Sequence, residues 1–86
     1  MSYSVLLERQ AEKDLRNLPA QIIKRIDQHL VELEHEPFPR GALKLKGKEG
    51  DAWRIKIGDY RLLYTVDTSE KTINIYKIKH RRDVYR

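Results

Sequence analysis

The sequence predicts one small α+β domain: a mainly antiparallel β-sheet with an N-terminal strand and an α-helical hairpin packed on one face, in the order β-α-α-β-β-β. Three observations predict it. Between Leu7 and Leu33 apolar residues recur every three or four positions in two stretches divided at Pro19, the pattern of two amphipathic helices. Trp53 to Ile57 and Tyr60 to Asp67 alternate on either side of Gly58-Asp59, the pattern of a β-hairpin. A chain of 86 residues without a long Pro, Gly or Ser tract suits a single domain spanning residues 1–86 and leaves no room for a second.

Taken in order, Ser2 to Leu7 alternates weakly and is rich in Tyr, Val and Leu, which predicts a strand. Leu7, Ala11, Leu15 and Leu18 then form one stripe of a short helix whose other side is Glu8, Arg9, Glu12, Lys13 and Arg16. Pro19 suits an early position of the second helix, where its missing N–H costs nothing. Ile22, Ile23, Ile26, Leu30 and Leu33 continue that helix until Pro37 and Pro39 end it. Phe38 to Ala52, with Gly41, Gly47 and Gly50, reads as a loop holding at most a short strand. Thr72 to Lys79, apolar on both parities, reads as a last and central strand. The expected core is Leu15, Ile26, Leu30, Trp53, Ile55, Leu62 and Tyr64.

There is no cysteine, and His29, His35 and His80 are well separated, so neither a metal nor another cofactor is expected. The N-terminus has no secretory pattern and no stretch approaches a membrane span, so a cytoplasmic protein is expected. Lys and Arg total 18 against 13 Asp and Glu, for a formal charge of +5. Acids and bases nearly balance up to Glu36, and the excess lies beyond Pro39. That half attracts nucleic acid, an anionic membrane or an acidic protein, and charge alone does not choose among them.

If Gly58 and Asp59 are the two loop residues, Ile57 faces Tyr60, Ile55 faces Leu62 and Trp53 faces Tyr64 on one apolar face. Arg54, Lys56 and Arg61 then gather on the other face, with Lys56 directly opposite Arg61. Like charges so placed repel by roughly 0.2–1 kcal/mol, which an anion would relieve; the alternative is a solvated sheet face. The C-terminal run His80-Arg81-Arg82-Asp83-Val84-Tyr85-Arg86 leaves the strand expected beside Arg61 and can return its arginines to that face. Cations on a rigid sheet beside an aromatic suit a single-stranded nucleic acid, above all RNA.

The string WRIKIGDYRLLY (Trp53 to Tyr64), the later HRRDVYR (His80 to Arg86), LKLKG (Leu43 to Gly47) and the preceding helical hairpin together resemble the RelE/ParE superfamily of toxin–antitoxin toxins. The resemblance covers nearly the whole chain. It implies a cognate antitoxin in a toxin–antitoxin hetero-oligomer and, for a RelE-like member, cleavage of messenger RNA in the ribosomal A site. Arg61 and Arg81 match the family's two arginines, Tyr85 its closing tyrosine, and Arg54 and Lys56 two basic strand residues. His80 falls where relatives vary.

Metal-independent cleavage by ribose 2′-OH attack needs proton removal, stabilisation of a dianionic phosphorane and a proton for the leaving oxygen. Arg61 and Arg81 suit the second task, because a guanidinium donates two parallel hydrogen bonds and stays charged. Arg54, Lys56, Arg82 and Lys46 would hold phosphates. His80 carries an imidazole able to give or take a proton. Tyr85 would either stack on a base or act as the general base. Two other readings stay open: a ParE-like toxin that inhibits DNA gyrase without cutting RNA, and a non-catalytic basic module that binds an acidic protein.

Overall fold

The helical periodicity of the first third resolves into α1 (Arg9–Arg16) and α2 (Ala20–His35), joined by a bend at Asn17 to Pro19. Pro19 is the N-cap of α2, and its carbonyl accepts the N–H groups of Ile22 and Ile23 at 3.0 Å each. The helix stops at His35 because Glu36, next to Pro37, is held in extended backbone by the proline ring. The computed structural model describes residues 2–45 and 52–84. Its remaining elements are β1 (Ser4–Leu7), β2 (Leu43–Lys44), β3 (Ala52–Ile57), β4 (Tyr60–Asp67), β5 (Thr72–His80) and one helical turn, α3 (Arg81–Val84). The short strand expected in the Phe38 to Ala52 segment is β2, and α3 is an addition to the expected order.

The sheet runs β1-β5-β4-β3-β2, with β1 parallel to β5 and every other pair antiparallel. The hairpin register is the expected one: Ile57 opposite Tyr60, Ile55 opposite Leu62, Trp53 opposite Tyr64 and Lys56 opposite Arg61. Gly58 has φ +61° and Asp59 does not share the positive sign, the signature of a type II′ turn whose twist matches its strands. The expected strand Thr72 to Lys79 is interior, within a β5 that runs one residue further to His80, but its apolar residues on both parities have a second cause. Leu63 pairs with Lys77 while Tyr64 pairs with Ile75, so a bulge at Tyr76 shifts the phase and keeps Ile73, Ile75 and Ile78 on one face.

That face meets the helices. Ala11 of α1 and Ile26 and Leu33 of α2 pack with Ile55, Ile57, Leu62, Tyr64, Val66, Ile73, Ile75 and Ile78. Each large aliphatic group so buried contributes about 1.5–3 kcal/mol relative to exposure. Of the expected core, Ile26, Ile55, Leu62 and Tyr64 are buried, whereas Leu15, Leu30 and Trp53 sit at its rim, partly buried. Trp53 instead tilts against Phe38, ring centroids 4.8 Å apart, and the Tyr64 hydroxyl donates to the Pro37 carbonyl at 2.9 Å. These two contacts seal the end of α2 onto the hairpin. Among the described residues no helix is long and apolar enough to cross a membrane.

Candidate functional site

Alternation along β3, β4 and β5 sends the residues between the core-facing ones to the opposite face, where the register arranges them in rows. The row nearest the hairpin turn is Lys56, Arg61 and Lys79, and it is cationic throughout. The next is Arg54, Leu63 and Lys77, with Leu43 beside Arg54 on the outer strand. The third, Ala52, Thr65 and Asn74 with Leu6 beyond, carries no charge. Successive rows lie roughly 7 Å apart along the strands. The positive field is thus concentrated at one end of the open face.

Arg61 is the centre of that end, and it is only 4% exposed. Sequence reasoning expects a cation on an open face; the structure buries it. Its Nη1 donates to the carbonyls of Gly58 at 3.3 Å and Tyr60 at 3.1 Å, so the side chain curls over its own turn. Its Nε is enclosed without a hydrogen-bond partner, as is Nη1 of Arg54. No ion pair joins Arg54, Lys56, Arg61 or Lys79 to a carboxylate among the described residues. Burying a charge without a counter-charge is costly, and an anion at this end of the face would offset that cost.

The turn also fixes the C-terminal segment. The Arg81 N–H donates to the Asp59 carbonyl at 2.7 Å, and Arg81 Nε lies 3.9 Å from Asp59 Oδ1. That ion pair is largely exposed and worth little by itself, so the main-chain bond does most of the holding. The two arginines singled out from the sequence are therefore tied to one turn, Arg61 by its side chain and Arg81 chiefly by its backbone. Arg82 is exposed and donates its N–H to His80 Nδ1 at 3.3 Å.

His80 stands apart from this group. It pairs with Tyr60, their rings meeting edge to face at 5.2 Å, on the side of the sheet opposite Arg61 and Lys79. With Nδ1 accepting from Arg82, a neutral ring carries its proton on Nε2. Tyr85 and Lys46 lie outside the described residues. The sequence reading also overlooks members of the arrangement. Lys79 completes the cationic row, and it was hidden because the four-residue turn before β5 does not fix a register as Gly58-Asp59 does. Asp14 of α1, an exposed-looking helix residue by sequence, accepts the Ile78 N–H at 3.0 Å and stands 3.8 Å from Lys77 Nζ, anchoring the bulge.

This architecture is that of the RelE-type toxins. The chain superposes on a chain of an archaeal RelE–RelB complex from Pyrococcus horikoshii with TM-score 0.85 and 38% identity, covering 94% of this chain and 97% of that one. It superposes on a chain of the intact RelBE toxin–antitoxin complex of E. coli with TM-score 0.81 and 25% identity, over 92% and 96% of the two chains. Toxin RelG of Mycobacterium tuberculosis is 32% identical over 87 residues, 100% of this chain and 99% of that protein. The family described as the ParE toxin of the type II toxin–antitoxin system, parDE, matches residues 5–85. The chain belongs to that family, within the RelE/ParE superfamily of type II toxins.

Proposed function

We propose that this toxin is a RelE-like endoribonuclease that cleaves messenger RNA in the ribosomal A site, acts in the cytoplasm and is neutralised by a cognate antitoxin in a hetero-oligomer. The observation that carries the reading is Arg61: a buried guanidinium with an unpartnered Nε, flanked across the sheet by Lys56 and Lys79, with no described carboxylate paired to any of the three. The antitoxin partner is supported by the solved RelE–RelB and RelBE complexes to which the chain is similar.

In this reading a ribose 2′-oxygen attacks the adjacent phosphorus and its proton passes to a base. The resulting phosphorane loses the 5′-oxygen, which takes up a proton, leaving a 2′,3′-cyclic phosphate and a 5′-hydroxyl. Arg61 meets the charge of the phosphorane, and Arg81 assists from the same turn. Lys56, Arg54 and Arg82 hold neighbouring phosphates, and Lys46 joins them. Tyr85 serves as base or stacking partner. His80, facing Tyr60, would give or take a proton once the ring reaches the leaving oxygen; to give one it must be the imidazolium, which forgoes accepting the Arg82 N–H at Nδ1.

The test is primer extension on translated messages after induction of the toxin. Cuts within codons of translated messages, absent when translation initiation is blocked, are the expected result. The family match to ParE favours one other reading, a gyrase inhibitor that cuts nothing. Intact messages with gyrase trapped on DNA would replace the first reading by the second.

A further inference from the structure

The Gly58-Asp59 turn is surrounded by guanidinium groups from three separate elements. Arg61 of β4 donates to its carbonyls from the open face. Arg81 of α3 engages Asp59. Arg25 arrives from α2, on the helix side: its Nη1 is 3.0 Å from where a Cβ on Gly58 would stand, so its guanidinium lies directly against the turn. Asp59 is the acid of this cluster and already has Arg81 beside it. Arg25 is exposed and has no ion pair with any carboxylate among the described residues.

Like charges crowded at one tip repel, and water screens that repulsion without abolishing it. Among the described residues no carboxylate is paired with Arg25, yet the cationic row on the open face runs up to the same turn. A polymer with an anion on every residue can follow such a track round the tip. An acidic peptide would need its carboxylates spaced to match, and a planar guanidinium fork suits phosphate.

We infer that Arg25 forms a second phosphate site at the hairpin tip, on the helix side of the sheet end, which takes a phosphodiester of RNA beyond the segment held by the cationic row. The inference rests on the RNA-cleaving reading of the open face. Arg25 binds and does not touch the reacting atoms.

The experiment uses the full chain with ribosomes carrying a message, and measures single-turnover cleavage against ribosome concentration and salt. Arg25→Met keeps the stem and removes the charge. It is expected to raise the half-saturating ribosome concentration about 3- to 10-fold and to flatten the salt slope by about one contact, with the saturating rate within about twofold of wild type. Arg25→Lys should retain most of the affinity, and Lys24→Met, one residue away on another side of α2, should change neither quantity.

An Arg25→Met protein that saturates like wild type overturns the inference. So does an Arg25→Lys protein as weak as Arg25→Met with a lowered thermal midpoint, which would make Arg25 only a clamp on Gly58. Equal loss in Lys24→Met would reduce the effect to net charge and overturn it as well. Binding of a short single-stranded RNA and of a duplex RNA of equal length identifies which RNA supplies the phosphate, since Arg25→Met should weaken one of them. Unchanged RNA binding with weakened capture of an acidic protein would give the tip to a protein partner instead. Wild-type toxin that neither cleaves nor binds RNA removes the underlying reading, an outcome distinct from wild-type cleavage that Arg25→Met does not alter.

Discussion

The main-chain N–H of Ile78 donates to the carboxylate of Asp14 at 3.0 Å, across 64 residues of sequence. β1 ends at Leu7, opposite Ile75, so the outer edge of β5 beyond that point lacks a neighbouring strand. Asp14 takes the place of the missing strand, while also accepting from Gln10 Nε2 at 2.9 Å and standing near Lys77. Removing it orphans a part-buried N–H beside the bulge. Asp14→Ala is expected to lower stability by about 1–3 kcal/mol in urea unfolding, and Asp14→Asn, which keeps an acceptor, by less. Equal midpoints for Asp14→Ala and wild type would show that the bond contributes nothing.

Gly58 is constrained by its φ of +61° and by Arg25 against it. A side chain there meets the flexible end of Arg25, which moves cheaply, so backbone strain dominates the cost. Gly58→Ala is expected to lose about 1–3 kcal/mol of stability. Adding Arg25→Met to Gly58→Ala should recover little of it. Full recovery in the double variant would mean that the steric contact, not the turn geometry, requires glycine.

Much of this was readable from residues because the hairpin turn is diagnostic. Gly58-Asp59 fixes the register of β3 and β4, and with it the separation of Trp53, Ile55 and Leu62 from Arg54, Lys56 and Arg61. The phase of β5 was not readable. Its bulge is held by Asp14 from another element, and no local pattern announces that bond. Alternation alone places His80 opposite Lys79, but without the β4–β5 register its pairing with Tyr60 stays hidden. The burial of Arg61 is a tertiary fact of the same kind, since a cation on a strand reads as exposed until its guanidinium is seen to turn onto Gly58 and Tyr60.

Stability should fall in alkali through Tyr64. Burial, and secondarily the charge of Glu36, pushes its hydroxyl well above the ordinary phenol range. A folded-state value raised above the unfolded one, roughly 10, gives stability that is complete below about pH 10 and lost as pH climbs toward the folded value. Tyr76 is shifted the same way by burial and Glu8. Unfolding free energy is expected to decline between roughly pH 10 and 11.5. Tyr64→Phe, lacking the bond to the Pro37 carbonyl, should be less stable near neutrality by about 1 kcal/mol and decline less steeply. A Tyr64→Phe protein that falls as steeply as wild type would assign the alkaline loss elsewhere.

Lys56 and Arg61 face each other across β3 and β4, one exposed and one buried, and that difference predicts different roles. An exposed lysine meets a phosphate that is present before and during reaction, so it contributes uniform binding. Lys56→Ala is expected to weaken association and flatten its salt dependence while leaving the saturating rate near wild type. Arg61 is held at the turn by the Gly58 and Tyr60 carbonyls with Nε enclosed and unpartnered, and its fork reaches the charge that develops on the phosphorane once the side chain turns outward. Arg61→Ala is expected to lower the single-turnover cleavage rate at saturating ribosome by about 10²-fold or more with little change in affinity. Because Arg61 also braces the turn, the variant's thermal midpoint must be measured alongside. Arg61→Lys, which keeps the charge and loses the fork, should fold and still cleave slowly. A folded Arg61→Ala protein that cleaves at the wild-type saturating rate would remove Arg61 from the chemistry and leave the cationic row as a binding surface alone.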